Sequence, residues 1–377
     1  MKIGFDAKRI LYNKTGLGNY SRFVVNSLST HFPNDEYKLY SPGKGVESLH
    51  NQINPVPSVS FRYPNKFTSK LFPSLWRSNA IVHDLKEDQI DLFHGLSNEL
   101  PLSISNTDIP SVVTIHDLIF IHYPQFYKYI DRSIYNYKFK KACQAANRII
   151  AISDMTKNDI IETYKITEEK IVVVYQGCDK SFQQTVTQEK KEDIRKRYNI
   201  PSHYILYVGS IEERKNLLLI VRALHQLNRD IHLIAIGKRT PYTDIVEAYI
   251  QENHIQQQVS ILNNIPFEDL PGFYQMADLF IYPSFFEGFG IPIIEALHSN
   301  VPVIAATGSC LEEAGGPDSL YVEPNDVNDL SEKIFWVLST PSQANLMKNA
   351  GKEYVKRFTD QQIADDLMEV YRNILNK

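Results

Sequence analysis

The run Ser284-Phe-Phe-Glu-Gly-Phe-Gly-Ile-Pro-Ile-Ile-Glu295 concentrates the residues best suited to chemistry. Two carboxylates, Glu287 and Glu295, stand eight positions apart around a Gly288-Phe289-Gly290 turn. Gly288 and Gly290 let a ligand come close to the backbone with no Cβ in the way. A strand at 278–282 leads into the turn, and a helix is expected over 293–298. The free N–H groups and partial positive charge of a helix start suit an anion such as a phosphate. Glu287 then sits in the mouth of the turn, and Glu295 about one and a half turns into the helix. That spacing offers one carboxylate to a sugar ring and the other to a ribose, with phosphates between them. An ordinary strand–turn–helix with surface glutamates shows the same pattern, so other residues must decide.

Two cations, Arg214 and Lys215, follow an apolar strand at 204–208. A nucleoside-diphosphate leaving group needs such charges while the anomeric carbon becomes cationic, and one well-placed donor supplies about 3–4 kcal/mol. Read alone, Glu212-Glu213-Arg214-Lys215 is a solvated charged turn. His116 and Asp117 follow a buried-looking strand at 111–115, at the carboxyl end of the sheet where open α/β folds place ligands. A lone His there is structural more often than not. Gly16 and Gly18 lie after the first strand, where a dinucleotide fingerprint would stand, but the third glycine position is Ser21. No acid ends the second strand, where Tyr40-Ser41 stands, so NAD binding is disfavoured. A loop cradling a sugar phosphate or an acceptor fits better, beside the plainer reading of a tight turn.

Elements must carry these residues. Short apolar runs alternate with amphipathic ones throughout, as in parallel sheets wrapped by helices. Strands are expected at 3–6, 37–40, 92–94, 111–115, 148–152 and 171–174, with helices near 20–29, 130–146 and 155–164. The stretch from Pro42 to Trp76, rich in Pro, Ser and Asn, reads as long loops. A Gln-, Thr- and Lys-rich linker at 181–191 precedes a second series. Its strands are expected at 204–208, 232–236, 259–262, 279–282, 303–305 and 320–322. Its helices fall near 217–227, 244–252, 267–276, 329–338 and 344–357. The last helix, 360–374, carries Ile363, Leu367, Val370, Tyr371 and Ile374 at helical spacing.

At 377 residues the chain exceeds what one core usually serves, so two domains are expected. No segment approaches the roughly 18–20 apolar residues of a membrane span, and the N-terminus reads as a strand rather than a signal peptide. Cys143, Cys178 and Cys310 are an odd, scattered set that argues against disulfides and zinc and for a reducing cytoplasm. Residues 1–180 hold 22 Lys and Arg against 18 Asp and Glu, whereas the remainder holds 18 against 26. The basic half suits an anionic acceptor or a membrane surface. Nucleic acid is a poor fit, since the whole chain has a net charge of −4 and no basic stripe.

The spacing of Glu287 and Glu295 in this setting resembles the E-x7-E signature of retaining, nucleotide-sugar-dependent glycosyltransferases of the GT-B fold, family 4 (group 1). Other blocks fit in the same order: Thr15-Gly-Leu-Gly18, Thr114-Ile-His116-Asp117, Ala151-Ile-Ser153, Gln176-Gly177-Cys-Asp179 and Tyr207-Val-Gly209-Ser-Ile-Glu-Glu-Arg214-Lys215-Asn216. The resemblance covers nearly the whole chain and is greatest to bacterial mannosyltransferases of surface polysaccharide assembly. It implies an α/β fold of two Rossmann-like domains whose parallel sheets face across a cleft. Residues 1–185 would bind the acceptor and 186–359 the nucleotide sugar, with 360–377 crossing back to the first domain.

By the same resemblance, Gly209, Arg214, Lys215, Gly288, Phe289, Gly290 and Ile291 would surround the donor diphosphate, and Glu295 would hold the ribose. Glu287 and His116 would face the transferred sugar, and Gly16 and Gly18 its phosphate or the acceptor. The family often has Arg where Ser210 stands, which puts the role of Arg214 in question. Without an Asp-x-Asp, no metal and no cofactor are expected. The implied reaction moves a hexose to a saccharide or lipid-linked acceptor in envelope glycan synthesis, in the cytoplasm at the inner membrane face. GDP-mannose is the first donor and a UDP-hexose the second, and peripheral membrane association is a further expectation. A sugar-nucleotide epimerase or hydrolase would need no acceptor site, and a non-catalytic subunit should have lost one of Lys215, Glu287 or Glu295. Whether Glu287 is a nucleophile or an electrostatic stabiliser stays open, because front-face attack needs no protein base.

Overall fold

The computed structural model describes residues 1–64, 72–227 and 229–375. The chain divides into two compact units, Met1–Gly177 with Thr359–Lys377, and Cys178–Phe358.

Among the described residues, seven strands build the first unit: β1 (Lys2–Asp6), β2 (Glu36–Tyr40), β3 (Val59–Arg62), β4 (Leu92–Gly95), β5 (Ser111–Ile115), β6 (Arg148–Ala151) and β7 (Ile171–Val173). Their order is β3-β2-β1-β4-β5-β6-β7, and every pair is parallel. Helices on both faces explain why the central strands are apolar along their whole length rather than alternating; β5 is buried at all five positions. The second unit repeats the plan with β8 (Ile205–Val208), β9 (Leu233–Ile236), β10 (Val259–Leu262), β11 (Leu279–Tyr282), β12 (Val303–Ala306) and β13 (Leu320–Val322). Its order is β10-β9-β8-β11-β12-β13, again all parallel. Each sheet starts in its middle, runs to one edge and returns to the other side. The reversals, β1/β4 and β8/β11, open crevices at the carboxyl ends of the strands.

The C-terminal helix Asp360–Leu375 belongs to the first unit. Its Ile363, Leu367, Met368 and Tyr371 share one core with Ile3, Phe5, Val24 and Leu28, and His31 meets Asp360 at 2.8 Å where the helix begins.

Some elements differ from the sequence expectation. The region expected as loops, Pro42 to Trp76, holds the short helix Glu47–His50 and the edge strand β3; of that region, residues 65–71 lie outside those described. Prolines at 55, 57 and 64 bracket β3 and mask a four-residue strand. The expected linker at 181–191 is instead a turn at Lys180–Gln183 and the start of a helix, Gln188–Tyr198. That helix buries only Ile194, so it shows no apolar period. Ion pairs hold it, with Asp269 between Lys190 and Arg197.

Candidate active site

The β8/β11 crevice brings the two singled-out segments together. After β8 the chain makes a turn at Glu213–Lys215, and Asn216 adopts φ 59°, a left-handed conformation that Asn tolerates. The Asn216 amide donates to the carbonyls of Pro283 at 3.2 Å and Pro324 at 2.7 Å. The Phe285 N–H donates to the Arg214 carbonyl at 2.9 Å. These bonds lace the loop carrying both cations to the loop carrying Glu287.

Glu287 Oε1 is where the side chains converge. Arg214 Nη1 approaches it at 2.8 Å and Lys215 Nζ at 3.1 Å. Ser284 Oγ donates to it at 2.8 Å and the Tyr282 hydroxyl at 3.0 Å. Lys215 also donates to the Tyr282 hydroxyl, and Arg214 to the Phe286 carbonyl. Burial by itself would raise the Glu287 pKa. The charges of Lys215 and Arg214, with hydrogen bonds from Arg214 and Ser284, outweigh it and hold the carboxyl at about 2. Gly209 follows β8, and a Cβ there would lie 3.2 Å from Lys215 Cδ, so the glycine keeps that side chain's path clear.

The helix after the turn runs Ile291–His298, two residues longer at its start than expected. Pro292 explains the difference, since proline fits the first helical turn while lacking an N–H. Gly290 has φ +136°, which side-chain-bearing residues rarely adopt, and a Cβ there would also press on Ala314 and Leu311. The Cys310 thiol donates to the carbonyls of Glu287 at 3.0 Å and Phe289 at 3.1 Å. Phe289 is 2% exposed and packs edge-on against Phe358. Gly288 and Ile291 are partly exposed.

Glu295 occupies different surroundings. The Tyr274 hydroxyl donates to its Oε2 at 2.8 Å. Burial dominates, outweighing that bond and reinforced by Asp179, and raises its pKa to about 8. The structure thus gives the two motif carboxylates opposite charge states near neutral pH.

In the first unit His116 follows β5 and is 5% exposed. Its Nε2–H donates to the Leu96 carbonyl at 2.9 Å, and its Nδ1 accepts from the Gln176 amide at 3.1 Å. Its own carbonyl accepts from Thr156 Oγ1 at 3.3 Å, and the Asn98 side chain accepts from its N–H at 2.8 Å. Burial lowers its pKa to about 4, so the ring is neutral. Tyr20 meets the ring edge-on at 4.6 Å. Gly16 and Gly18 open the helix Gly16–His31. Gly16 faces open space, whereas a Cβ on Gly18 would fall 1.9 Å from the Asn13 carbonyl oxygen. The buried Arg22 braces this loop through the Ile10 and Asn13 carbonyls and the Asn19 side chain. Arg214, Lys215, Glu287 and the Gly288–Ile291 turn are therefore gathered in the second unit. His116 and the Gly16 loop belong to the first.

Tyr282, Ser284, Tyr274, Cys310 and Asn98 carry no spacing signal and escaped the sequence reading. Ser284 alone stands inside the singled-out run. Among the described residues no three His, Cys, Asp or Glu side chains gather in a way that would hold a metal ion.

Two parallel Rossmann-like sheets with this site define the GT-B glycosyltransferase class. The chain belongs to the glycosyltransferases of family 4 and group 1. The family described as Glycosyltransferase Family 4 matches residues 22–182, and Glycosyl transferases group 1 matches residues 190–354. The O-antigen chain mannosyltransferase B of Escherichia coli is 26% identical over 388 residues, covering 99% of this chain and all of that one. A glycosyltransferase crystal structure from Rickettsia africae superposes with a TM-score of 0.79 at 22% identity, covering 100% of this chain and 99% of that one. Anabaena Alr3699/HepE, solved in complex with UDP-glucose, gives 0.77 at 18% identity, covering 99% of this chain and 100% of that one.

Proposed function

We propose that this glycosyltransferase is a retaining, metal-independent mannosyltransferase of surface polysaccharide assembly. Its donor is GDP-mannose, and its acceptor a saccharide or a lipid-linked glycan at the cytoplasmic face of the membrane. The observation that carries the donor site is the triad of Arg214, Lys215 and Glu287 at the head of the helix Ile291–His298. Two cations stand ready for the diphosphate that leaves, and the helix start adds N–H donors. A carboxylate held ionised stands where positive charge grows on the sugar ring. Farther along the helix, Glu295 takes the ribose hydroxyls, and the Gly288–Ile291 backbone takes the phosphates. His116 is neutral and tightly held, which suits it to shaping the sugar site. No protein base is required if the departing phosphate takes the acceptor proton.

The E. coli relative's name supports mannose and an O-antigen chain acceptor. A UDP-hexose is the second donor, favoured by the UDP-glucose complex of the Anabaena neighbour. Peripheral membrane association fits the lipid-linked acceptor, and among the described residues no helix is long and apolar enough to cross a membrane. The test is turnover of GDP-mannose and UDP-glucose with EDTA present, and the anomeric configuration of the product by NMR. An inverted product, or activity abolished by EDTA and restored by Mg²⁺, overturns the mechanism. Preference for UDP-glucose overturns the donor.

A further inference from the structure

The helix Tyr129–Ala145 has two apolar faces, and the core needs only one. Phe139, Ala142 and Cys143 point inward, packed with Val113, Ile115 and Ile149. At about 3.6 residues per turn, Ile130, Ile134, Tyr137 and Lys141 form a stripe on the opposite side. That outermost stripe should be polar on a water-facing helix. Instead Ile130 is 70% exposed, Ile134 46% and Tyr137 57%, with Tyr129 beside them at 78%.

Charge says what covers it. Over 128–141 the chain carries Lys128, Arg132, Lys138, Lys140 and Lys141 against Asp131 alone, a net of +4. Lys138 is engaged by Glu99 and Arg132 by the Phe120 carbonyl, while Lys128, Lys140 and Lys141 are exposed. An apolar stripe of Ile and Tyr flanked by lysines suits the headgroup boundary of a bilayer. A second copy would set two faces of the same positive charge against each other.

We propose that this face of Tyr129–Ala145 docks on an anionic lipid bilayer. Ile130, Ile134 and Tyr137 enter the headgroup region, and Lys140 and Lys141 meet lipid phosphates. The inference rests on the reading that the acceptor is lipid-linked, and it names the surface that brings the enzyme to it. None of these five side chains belongs to the donor site or the His116 network, so docking and transfer are separable.

The experiment is flotation of the full chain with phosphatidylcholine vesicles, with and without phosphatidylglycerol. The chain should float only with phosphatidylglycerol. Lys140→Ala with Lys141→Ala should weaken vesicle binding about 30-fold, the scale for two surface charges. Ile130→Ser with Ile134→Ser should weaken it at least ~10-fold while leaving the melting temperature unchanged, because those side chains leave no core. Both double variants should keep wild-type transfer to a soluble saccharide acceptor. Equal binding to neutral vesicles, no binding at all, or unaltered binding by both variants overturns the proposal. So does a wild-type dimer that Ile130→Ser with Ile134→Ser makes monomeric, since a second copy would then own the face. Loss of transfer to the soluble acceptor also overturns it, placing the helix in the acceptor site. Normal vesicle behaviour without transfer by the wild type would instead sink the donor reading and leave the docking surface standing.

Discussion

Glu287 and Glu295 are the same side chain, eight residues apart, on one turn and one helix, yet their environments push them in opposite directions. Glu287 is surrounded by Arg214, Lys215, Ser284 and Tyr282, all of which favour the anion. Among the described residues Glu295 has a single side-chain donor, Tyr274, and a carboxylate neighbour in Asp179. The turn places Glu287 among cations from another loop, whereas the helix carries Glu295, half-buried, to the Tyr274 hydroxyl. Two characters follow from one residue type: a fixed negative charge in the turn, and a carboxyl that holds its proton near neutral pH.

Removing Lys215 should disturb this contrast most. Lys215→Ala should cost at least ~100-fold in transfer rate, the scale of one electrostatic donor. It should also relax Glu287 toward the ordinary carboxylate range. A rate within a few-fold of wild type, measured with saturating donor, would remove Lys215 from the diphosphate site.

The two carboxylates are separated next by neutral isosteres. Above pH 8, where its carboxyl is ionised, Glu295→Gln should weaken bare nucleoside diphosphate by about 10- to 150-fold, since a hydrogen bond to a charged group is worth ~1.5–3 kcal/mol. Glu287→Gln should leave that affinity unchanged or raise it, because it frees two cations, while transfer falls. Calorimetry on both variants checks the split, and equal losses would merge the roles.

Their pH signatures should differ in sign. The Glu287 pKa is depressed to about 2, so the native state binds fewer protons than the unfolded chain below the usual value of ~4.3. Its contribution to stability is present above that value and lost as pH falls towards 2. The Glu295 pKa is raised to about 8, so the native state binds more protons between ~4.3 and 8. Its contribution is present below that window and lost as pH rises through 8. Denaturation across pH should therefore show Glu287→Gln flattening the acid limb and Glu295→Gln the limb approaching pH 8. Effects of both on one limb would contradict the assignment.

The smallest expected effect belongs to Cys310. Its thiol holds two carbonyls of the turn, so Cys310→Ala should reduce kcat/KM about 5-fold, near 1 kcal/mol for one modest hydrogen bond. Cys310→Ser should restore it. If Ser and Ala behave alike, the thiol fills space rather than positions the turn.

Strands β1, β5 and β11 were legible because a buried parallel strand is a short continuous apolar run. Gln188–Tyr198 was not, because ion pairs to Asp269 hold it in place of an apolar stripe. The glutamates, Arg214, Lys215 and the glycine turn were found through spacing. Tyr282, Ser284 and Cys310 were not, because each acts through a contact whose partner lies on another loop or at no recurrent spacing.

The sequence by itself determined the two-domain α/β plan, the family, and the residues from which the proposed donor site is built. Apolar rhythm and motif spacing are local properties, written along the chain. Only the tertiary structure decided that Arg214 and Lys215 neutralise Glu287, that Glu295 is half-buried beside Tyr274, and that His116 is neutral with both ring nitrogens engaged. Charge state depends on burial and on partners within a few ångströms, and those partners come from strands far apart in the chain.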